Sequence, residues 1–291
     1  MPRTSSVGLS RRDFLRSVGV GIAAAVITGC QPSIQTRMPR RKPNFVFFLI
    51  DDMGWRDLGC FGSSFYETPN IDRLARQAMR FTDAYAACPV CSPTRASIMS
   101  GKYPARIGLT NFIAGRKKGK LLPPDFLLQM PLEEVTFAEV LQQAGYATGF
   151  FGKWHLGDLP FLPDNQGFAT NVAGDGHGAP PSYFSPYGKK VGGLKLTAGS
   201  EGEYLTDRLT DEAVSFIHLN RDKPFLVYLS HYAVHVPLQA KKELTDRYLA
   251  KVKTLPPTDP RFVPEGATQA RQVQDHAVYA AMVESVDDSI G

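Results

Sequence analysis

The segment Asn44 to Ile50 is apolar at every position after Asn44, and it ends abruptly in two adjacent carboxylates, Asp51 and Asp52. An unbroken apolar run of this length predicts a strand buried on both faces of a largely parallel sheet, which obliges helices to cover both sides. The rest of the chain fits that alternation. Thr68-Pro69 reads as an N-cap followed by proline at the first helical position, with Ile71, Leu74, Ala75 and Ala78 recurring at helical spacing. Thr136 to Glu139 has the form of a capping box, with Phe137, Val140, Leu141 and Ala144 on one face and Gly145 as the stop. A short strand over Ala147 to Phe151 follows. A helix with Leu205, Leu209, Ala213, Phe216 and Ile217 on one face then leads into a second buried strand, Pro224 to Ser230. A last helix is expected over roughly Thr268 to Ile290, and residues 157–200 and 254–266 read as long connections. The predicted class is α/β, a mixed, largely parallel sheet between helix layers. An alternating pattern calls for a strand after the last helix, so the domain is expected to be incomplete at Gly291.

The formal charge of +5 suggests a nucleic-acid partner until its location is read. Residues 1–42 hold eight basic residues and one acid, whereas residues 43–291 hold 25 basic and 27 acidic ones. The body is nearly neutral, so no nucleic-acid partner is expected. Within the basic leader, Arg11-Arg12 precede a modest apolar stretch, Ser17 to Thr28, too short to span a membrane; the pattern resembles a bacterial twin-arginine export signal. Ile27 to Cys30 resembles a lipobox, which implies lipidation of Cys30. The expected organisation is a signal peptide over 1–29, a tether over 30–42 and a folded domain over 43–291. It implies contact with the export and lipoprotein-processing machinery, and a periplasmic or membrane-anchored destination.

The most informative segment is Cys88 to Lys102. Ser92 suits an N-cap and Pro93 the first helical position, placing Cys91 just before a helix whose unpaired N–H groups favour an anion, with Arg95 adding a permanent cation. A thiol beside an oxyanion-binding helix start is consistent with a cysteine phosphatase or another nucleophilic enzyme; a buried, unreactive cysteine is the bland alternative. Asp51 and Asp52, at the carboxyl end of a strand, suit a hard divalent cation or merely cap a turn. His231 and His235 have the spacing of a zinc pair, but they follow a strand, Pro237 interrupts any helix, and Tyr232 stands where a zinc protease carries glutamate. Cys88 and Cys91 form C-x-x-C without a matching second pair, and Cys60 reads as packed. Gly174 to Tyr187 reads as a substrate-pocket loop or an ordinary connection.

Cys91-Ser92-Pro93-Thr94-Arg95, followed by Ala96-Ser97 and Ser100-Gly101-Lys102, resembles the signature of type I sulfatases of the alkaline-phosphatase-like superfamily. Asn44 to Trp55, Asp57 to Gly62, Thr68 to Asp72, Gly152 to Gly157 and His235-Val236-Pro237 fit the same family in order. The resemblance covers residues 43–291. It implies that a sulfatase-maturing enzyme reads Cys91, Pro93 and Arg95 and oxidises Cys91 to formylglycine, and that Asp51, Asp52 and the modified residue 91 hold a calcium ion. It implies that Arg95, Lys153, His155 and His235 form the rest of the catalytic set, with Lys153 binding sulfate, His155 holding the aldehyde hydrate and His235 contacting the sulfate or leaving-group oxygen. The implied substrate is a sulfated carbohydrate or aryl sulfate. In the family a later strand carries an Asp-Asn metal-ligand pair; Asp287-Asp288 lies on a helix and is no substitute, so weak calcium binding and little activity are expected of this chain. Two other readings stay open: a phosphomonoesterase or phosphonate hydrolase of the same superfamily, and a non-catalytic, lipid-anchored protein that binds sulfated glycans.

Overall fold

The computed structural model describes residues 42–115, 120–121, 124–188, 194 and 196–291. The expected leader, the tether up to residue 41 and Cys30 lie outside the described residues. Four parallel strands, β1 (Phe45–Ile50), β2 (Ala147–Gly152), β3 (Thr170–Val172) and β4 (Phe225–His231), form one sheet in the order β1-β4-β2-β3. Phe45 pairs with Leu226 and Ile50 with His231, while Ala147 pairs with Phe225 and Gly152 with Ser230. The carboxyl ends of β1, β2 and β4 therefore finish side by side.

Among the described residues, seven α-helices follow in chain order: α1 (Pro69–Gln77), α2 (Cys91–Ser100), α3 (Pro104–Ile107), α4 (Phe137–Gln143), α5 (Leu205–Asn220), α6 (Lys242–Val252) and α7 (Ala277–Ile290). Side-chain alternation along the central strand divides the core in two. Phe225, Val227 and Leu229 join Phe151 and residues of α5 and α7 in one cluster. Leu226 and Tyr228 join Phe150, Trp154 and residues of α2 and α4 in the other. The expected layered α/β architecture is thus realised, with β4 buried along its whole length.

The first strand departs from its expectation. Phe45, Val46 and Phe47 are exposed, because β1 pairs only with β4 among the described residues and is an edge. Its apolar run matches a strand covered on both faces, and the described residues cover it only in part, with Phe48, Leu49 and Ile50 packed against the cores. The last helix also starts late. Residues 268–271 form β6 (Thr268–Arg271), paired antiparallel with β5 (Phe262–Glu265) across a turn at Gly266, whose φ is +58°. Four residues held in a hairpin ladder outweigh a helical spacing that only becomes continuous from Ala277. Strand β3 lies within the expected long connection 157–200, too short to carry a periodic signal.

Local signals that are complete in themselves are realised. Thr136 accepts from the Glu139 amide while Glu139 accepts from the Thr136 amide, the reciprocal capping box at the start of α4. Thr68 stands at the N-cap of α1, but its hydroxyl accepts from the Gly59 amide and donates to Asp72 instead of capping. The helix is capped from across the fold: buried Asp287 accepts from the backbone amides of Asn70 and Ile71. This carboxylate, in the last turn of its own helix, is fully engaged in docking α7 on α1.

Candidate active site

The side chains singled out from sequence converge at the carboxyl edge of the sheet, the position where open α/β sheets bind ligands. Asp51 and Asp52 follow β1, Lys153 and His155 follow β2, and His235 follows β4 by four residues. Cys91 faces them as the first residue of α2. The expectation that Ser92 caps this helix is not met. Val90 is the N-cap, and the buried Ser92 hydroxyl accepts from the Ile113 amide, so it ties the 111–113 segment to the helix start. The amide-rich end of α2 nevertheless opens at residue 91.

Close approach of the strand ends depends on one glycine. A Cβ on Gly152, whose φ is +110°, would lie 1.9 Å from the Ser230 carbonyl oxygen, so no other residue fits between β2 and β4 there. The Lys153 amide then donates to that same carbonyl. Arg95 completes the junction. Its Nη1 donates to the Lys153 carbonyl at 2.6 Å and to Ser230 Oγ at 2.7 Å, and its Nη2 donates to Asp51 Oδ2 at 3.0 Å. One buried guanidinium therefore joins the ends of β1, β2 and β4, using the planar fork that lysine lacks. Its donors are engaged inside the protein, which makes Arg95 a positioning group in this geometry.

Lys153 is fully buried, ion-pairs with Asp51 Oδ2 and donates from Nζ to Cys91 Sγ at 3.2 Å. The thiol lies 3.8 Å from Asp51 Oδ1. Burial pushes the Asp51 carboxyl upward, but Arg95 and Lys153 outweigh it and hold the group below the ordinary aspartate value. The Cys91 thiol is likewise raised by burial and lowered further by its hydrogen bond to His235 and by Lys153, ending below the ordinary thiol value. His235 moves the opposite way, raised chiefly by that same bond to Cys91, with its Nδ1 against the Val236 carbonyl at 2.8 Å.

His155 is 5% exposed, and burial together with Lys153 and Arg95 lowers it to about 4, so the imidazole is neutral. Its Nε2 lies 3.3 Å from the Ile113 carbonyl, an arrangement that puts the proton on Nε2 and leaves Nδ1 as an acceptor. That Nδ1 is buried without a protein partner. Gly178 packs on the ring: a Cβ there would fall 2.6 Å from it, so the 174–178 loop is a wall of the site. In the same loop, buried Asp175 accepts from the His177 side chain at 2.8 Å and passes its carbonyl to the His155 amide.

Two carboxylates and residue 91 were expected to share a cation. Asp51 Oδ2 is engaged by Arg95 and Lys153, leaving Oδ1, and exposed Asp52 stands in the left-handed region at φ 60° with its carboxylate 3.5 Å from His235 Nε2. The group of donors that meet within 4.8 Å of one another is Asp52, Cys91 and His235. With an oxygen in place of sulfur at residue 91, Asp51 Oδ1 and Asp52 offer part of the all-oxygen set that a hard cation takes, about six to eight ligands in full.

The remaining expectations divide. His231 does not pair with His235: it is fully buried, its Nε2 is 2.9 Å from Ser289 Oγ on α7, and burial lowers it to about 4. Cys88 and Cys91 are both free thiols, so no disulfide supports a redox reading. Cys60 is half-buried rather than part of either core, with its amide held by Asp72. Sequence reasoning missed Ser230 and Asp175. The lone hydroxyl at the end of the apolar β4 run is the signal that could have revealed Ser230; Asp175 sits in a loop whose path no local pattern encodes.

A family model described as Sulfatase matches residues 43–291. Arylsulfatase G of Canis lupus familiaris is 34% identical over 264 residues, covering 77% of this chain and 46% of its own length. N-acetylgalactosamine-6-sulfatase of Rattus norvegicus is 35% identical over 223 residues, covering 69% and 41%. The chain thus spans less than half the length of these relatives. Among solved structures, Ps i-CgsB superposes with a TM-score of 0.65 at 33% identity, covering 86% of this chain and 54% of that one. Phosphonate monoester hydrolase of Agrobacterium radiobacter, at 17% identity and a TM-score of 0.54 over 86% and 58%, shares the fold.

Proposed function

The chain belongs to the sulfatase family, and we propose that it is the N-terminal catalytic part of an exported sulfuric ester hydrolase acting on sulfated carbohydrate. One observation carries the reading: Cys91 at the start of α2 lies against Lys153, Asp51 and His235 at the carboxyl edge of the sheet. Names of similar proteins support the substrate class. One relative is an N-acetylgalactosamine-6-sulfatase, and one similar structure, 27% identical with a TM-score of 0.58 over 78% of this chain and 40% of that one, was solved with its substrate D-glucosamine-2-N,6-O-disulfate.

In this reading Cys91 is converted to formylglycine by a maturing enzyme that recognises Cys91, Pro93 and Arg95. Residue 91 would then carry the hydrated aldehyde, which would offer one hydroxyl for attack on sulfur and a second for expulsion of sulfate. Asp51 and Asp52 would hold calcium, which supplies charge stabilisation to the ester oxygens. The protein's own groups do the rest. Lys153 and the amides of α2 bind the anionic sulfate in a partly dry site. Neutral His155 presents Nδ1 as an acceptor that can orient a hydroxyl or take its proton. His235, kept protonated more readily than an ordinary histidine, is suited to donate to the leaving oxygen. Arg95 holds Asp51 and Lys153 in register.

The leader belongs to the same proposal: export through Arg11-Arg12 and anchoring through a lipid on Cys30, which Cys30→Ala with membrane fractionation tests directly. For the chemistry, the chain is co-expressed with a sulfatase-maturing enzyme. The mass of the Cys91 peptide and sulfate release from p-nitrophenyl sulfate and sulfated oligosaccharides are then measured. Conversion with weak release, both lost in Cys91→Ser, is expected. Release from a chain whose Cys91 remains an unmodified thiol would refute the formylglycine mechanism.

A further inference from the structure

We infer that the unconverted chain, with Cys91 still a thiol, carries a site for zinc or a similar soft divalent metal, built from Asp52, Cys91 and His235, and that oxidation of residue 91 removes it. The inference concerns the chain before conversion and does not depend on any sulfatase activity.

Three different donors, a carboxylate oxygen, a thiolate sulfur and an imidazole nitrogen, lie within 4.8 Å of one another. Ligands bound tetrahedrally to zinc at about 2.0–2.3 Å sit roughly 3.3–3.8 Å apart. The His235 Nε2 to Asp52 Oδ2 distance is 3.5 Å, already in that range. His235 is also prepared as a ligand. Its Nδ1 faces the Val236 carbonyl at 2.8 Å, so Nδ1 carries the proton there and Nε2 presents its lone pair toward the other two donors. A backbone carbonyl behind the second ring nitrogen is the arrangement that metal-binding histidines use to fix the tautomer. Tyr183 donates to the His235 carbonyl at 2.8 Å and holds this segment in place.

The surrounding charge permits a dication. Lys153 and Arg95 are cationic and both ion-pair with Asp51; Lys153 Nζ also donates to Cys91 Sγ at 3.2 Å, and the remaining sulfur lone pairs and the Asp52 carboxylate are left to meet the metal. Three protein ligands with an open fourth position, for water or for Asp51 Oδ1 3.8 Å from the sulfur, match a zinc site of the open type. On binding, the thiol proton and any proton on Nε2 leave to solvent, and the metal takes both lone pairs. Sulfur decides the preference. A Cys/His/Asp set selects zinc or cobalt over calcium, whereas an oxygen at residue 91 turns the same corner toward hard cations. Zinc on the thiolate would therefore also block the oxidation that matures the residue.

The test uses the chain purified with its cysteines reduced and without co-expressed maturing enzyme. Cobalt(II) is titrated in as a spectroscopic probe, with zinc and calcium as competitors. Expected are a thiolate-to-cobalt charge-transfer band and tetrahedral d–d bands, displaced by zinc and untouched by calcium in large excess. Zinc should also protect Cys91, read by peptide mass, from iodoacetamide. Cys91→Ser should abolish the thiolate band, while the Cys60→Ser, Cys88→Ser double variant should keep it. Asp52→Asn preserves the thiol and the shape, guards against a folding artefact, and should weaken zinc about a hundredfold or more, the upper end of what losing even an outer partner of a ligand costs. Absence of the thiolate band, its persistence in Cys91→Ser, equal competition by calcium, or unchanged affinity in Asp52→Asn would each overturn the assignment.

Discussion

Replacing Arg95 tests how the site is held together. The guanidinium makes three charge-assisted hydrogen bonds, to the Lys153 carbonyl, to Ser230 Oγ and to Asp51, in a site where Arg95 is 4% and Asp51 6% exposed. Arg95→Met removes the cation and leaves buried acceptors with fewer partners, a loss of about 3–5 kcal/mol for one side of a buried pair. Arg95→Lys keeps the charge but reaches only one branch of the fork. Two lost bonds at about 1–1.5 kcal/mol each give about 2–3 kcal/mol. In a domain of this size about 1 kcal/mol moves the melting temperature by about 2–4 °C, so the methionine variant should melt roughly 6–20 °C lower. Urea unfolding followed by circular dichroism measures this directly. The pH dependence carries a second check. Asp51 titrates below its ordinary value, so its share of the stabilisation is complete above that value and is lost as pH falls through the depressed one. The gap between wild type and variant should accordingly narrow in strong acid. A methionine variant within about 1 kcal/mol of wild type at neutral pH, against the 3–5 expected of a broken buried pair, would refute the claim that Arg95 anchors three strand ends.

Three further outcomes are expected. His231 is neutral and buried with a folded value of about 4 against an ordinary 6.5, so it favours unfolding as pH falls from 6.5 toward 4, by up to about 3 kcal/mol; urea midpoints of His231→Gln should fall less over that interval than those of wild type. Alkylation of Cys91 by iodoacetamide should have its pH midpoint below that of an ordinary thiol, and His235→Ala, by removing the hydrogen bond that contributes most to the lowering, should move the midpoint upward. Asp287→Ala should cost about 1–2 kcal/mol in urea unfolding, because the Asn70 and Ile71 amides at the start of α1 lose their shared acceptor.

The local signals were legible because each is complete within a few residues. The Thr136 to Glu139 capping box needs nothing beyond its own turn, and the unbroken apolar run of β4 can only be a strand sealed on both faces. The same logic misjudged β1, whose equally apolar sequence describes a covering that the described residues provide only in part. The chemistry-bearing residues could be named from their order along the chain, Asp51 and Asp52, Cys91, Arg95, Lys153, His155 and His235. What each does to the others could not, since those contacts join segments between 40 and 183 residues apart, read from Asp51 to Cys91 and from Asp52 to His235.

Tertiary structure decided the rest. It turned Arg95 from a cation awaiting an anion into the joint between three strands, because parallel pairing in register brings the ends of β1, β2 and β4 to one point. It separated His231 from His235, since a residue inside a strand faces the packed helices while one four positions later has left the sheet. It also set which donors share the corner at Cys91: Asp51 is held by two cations, and Asp52, His235 and the thiol are left facing one another. Sequence alone determined the kinds of group available and the end of the sheet they would occupy. Their partners, and hence their charge and duties, follow from burial and from distances that only the folded chain creates.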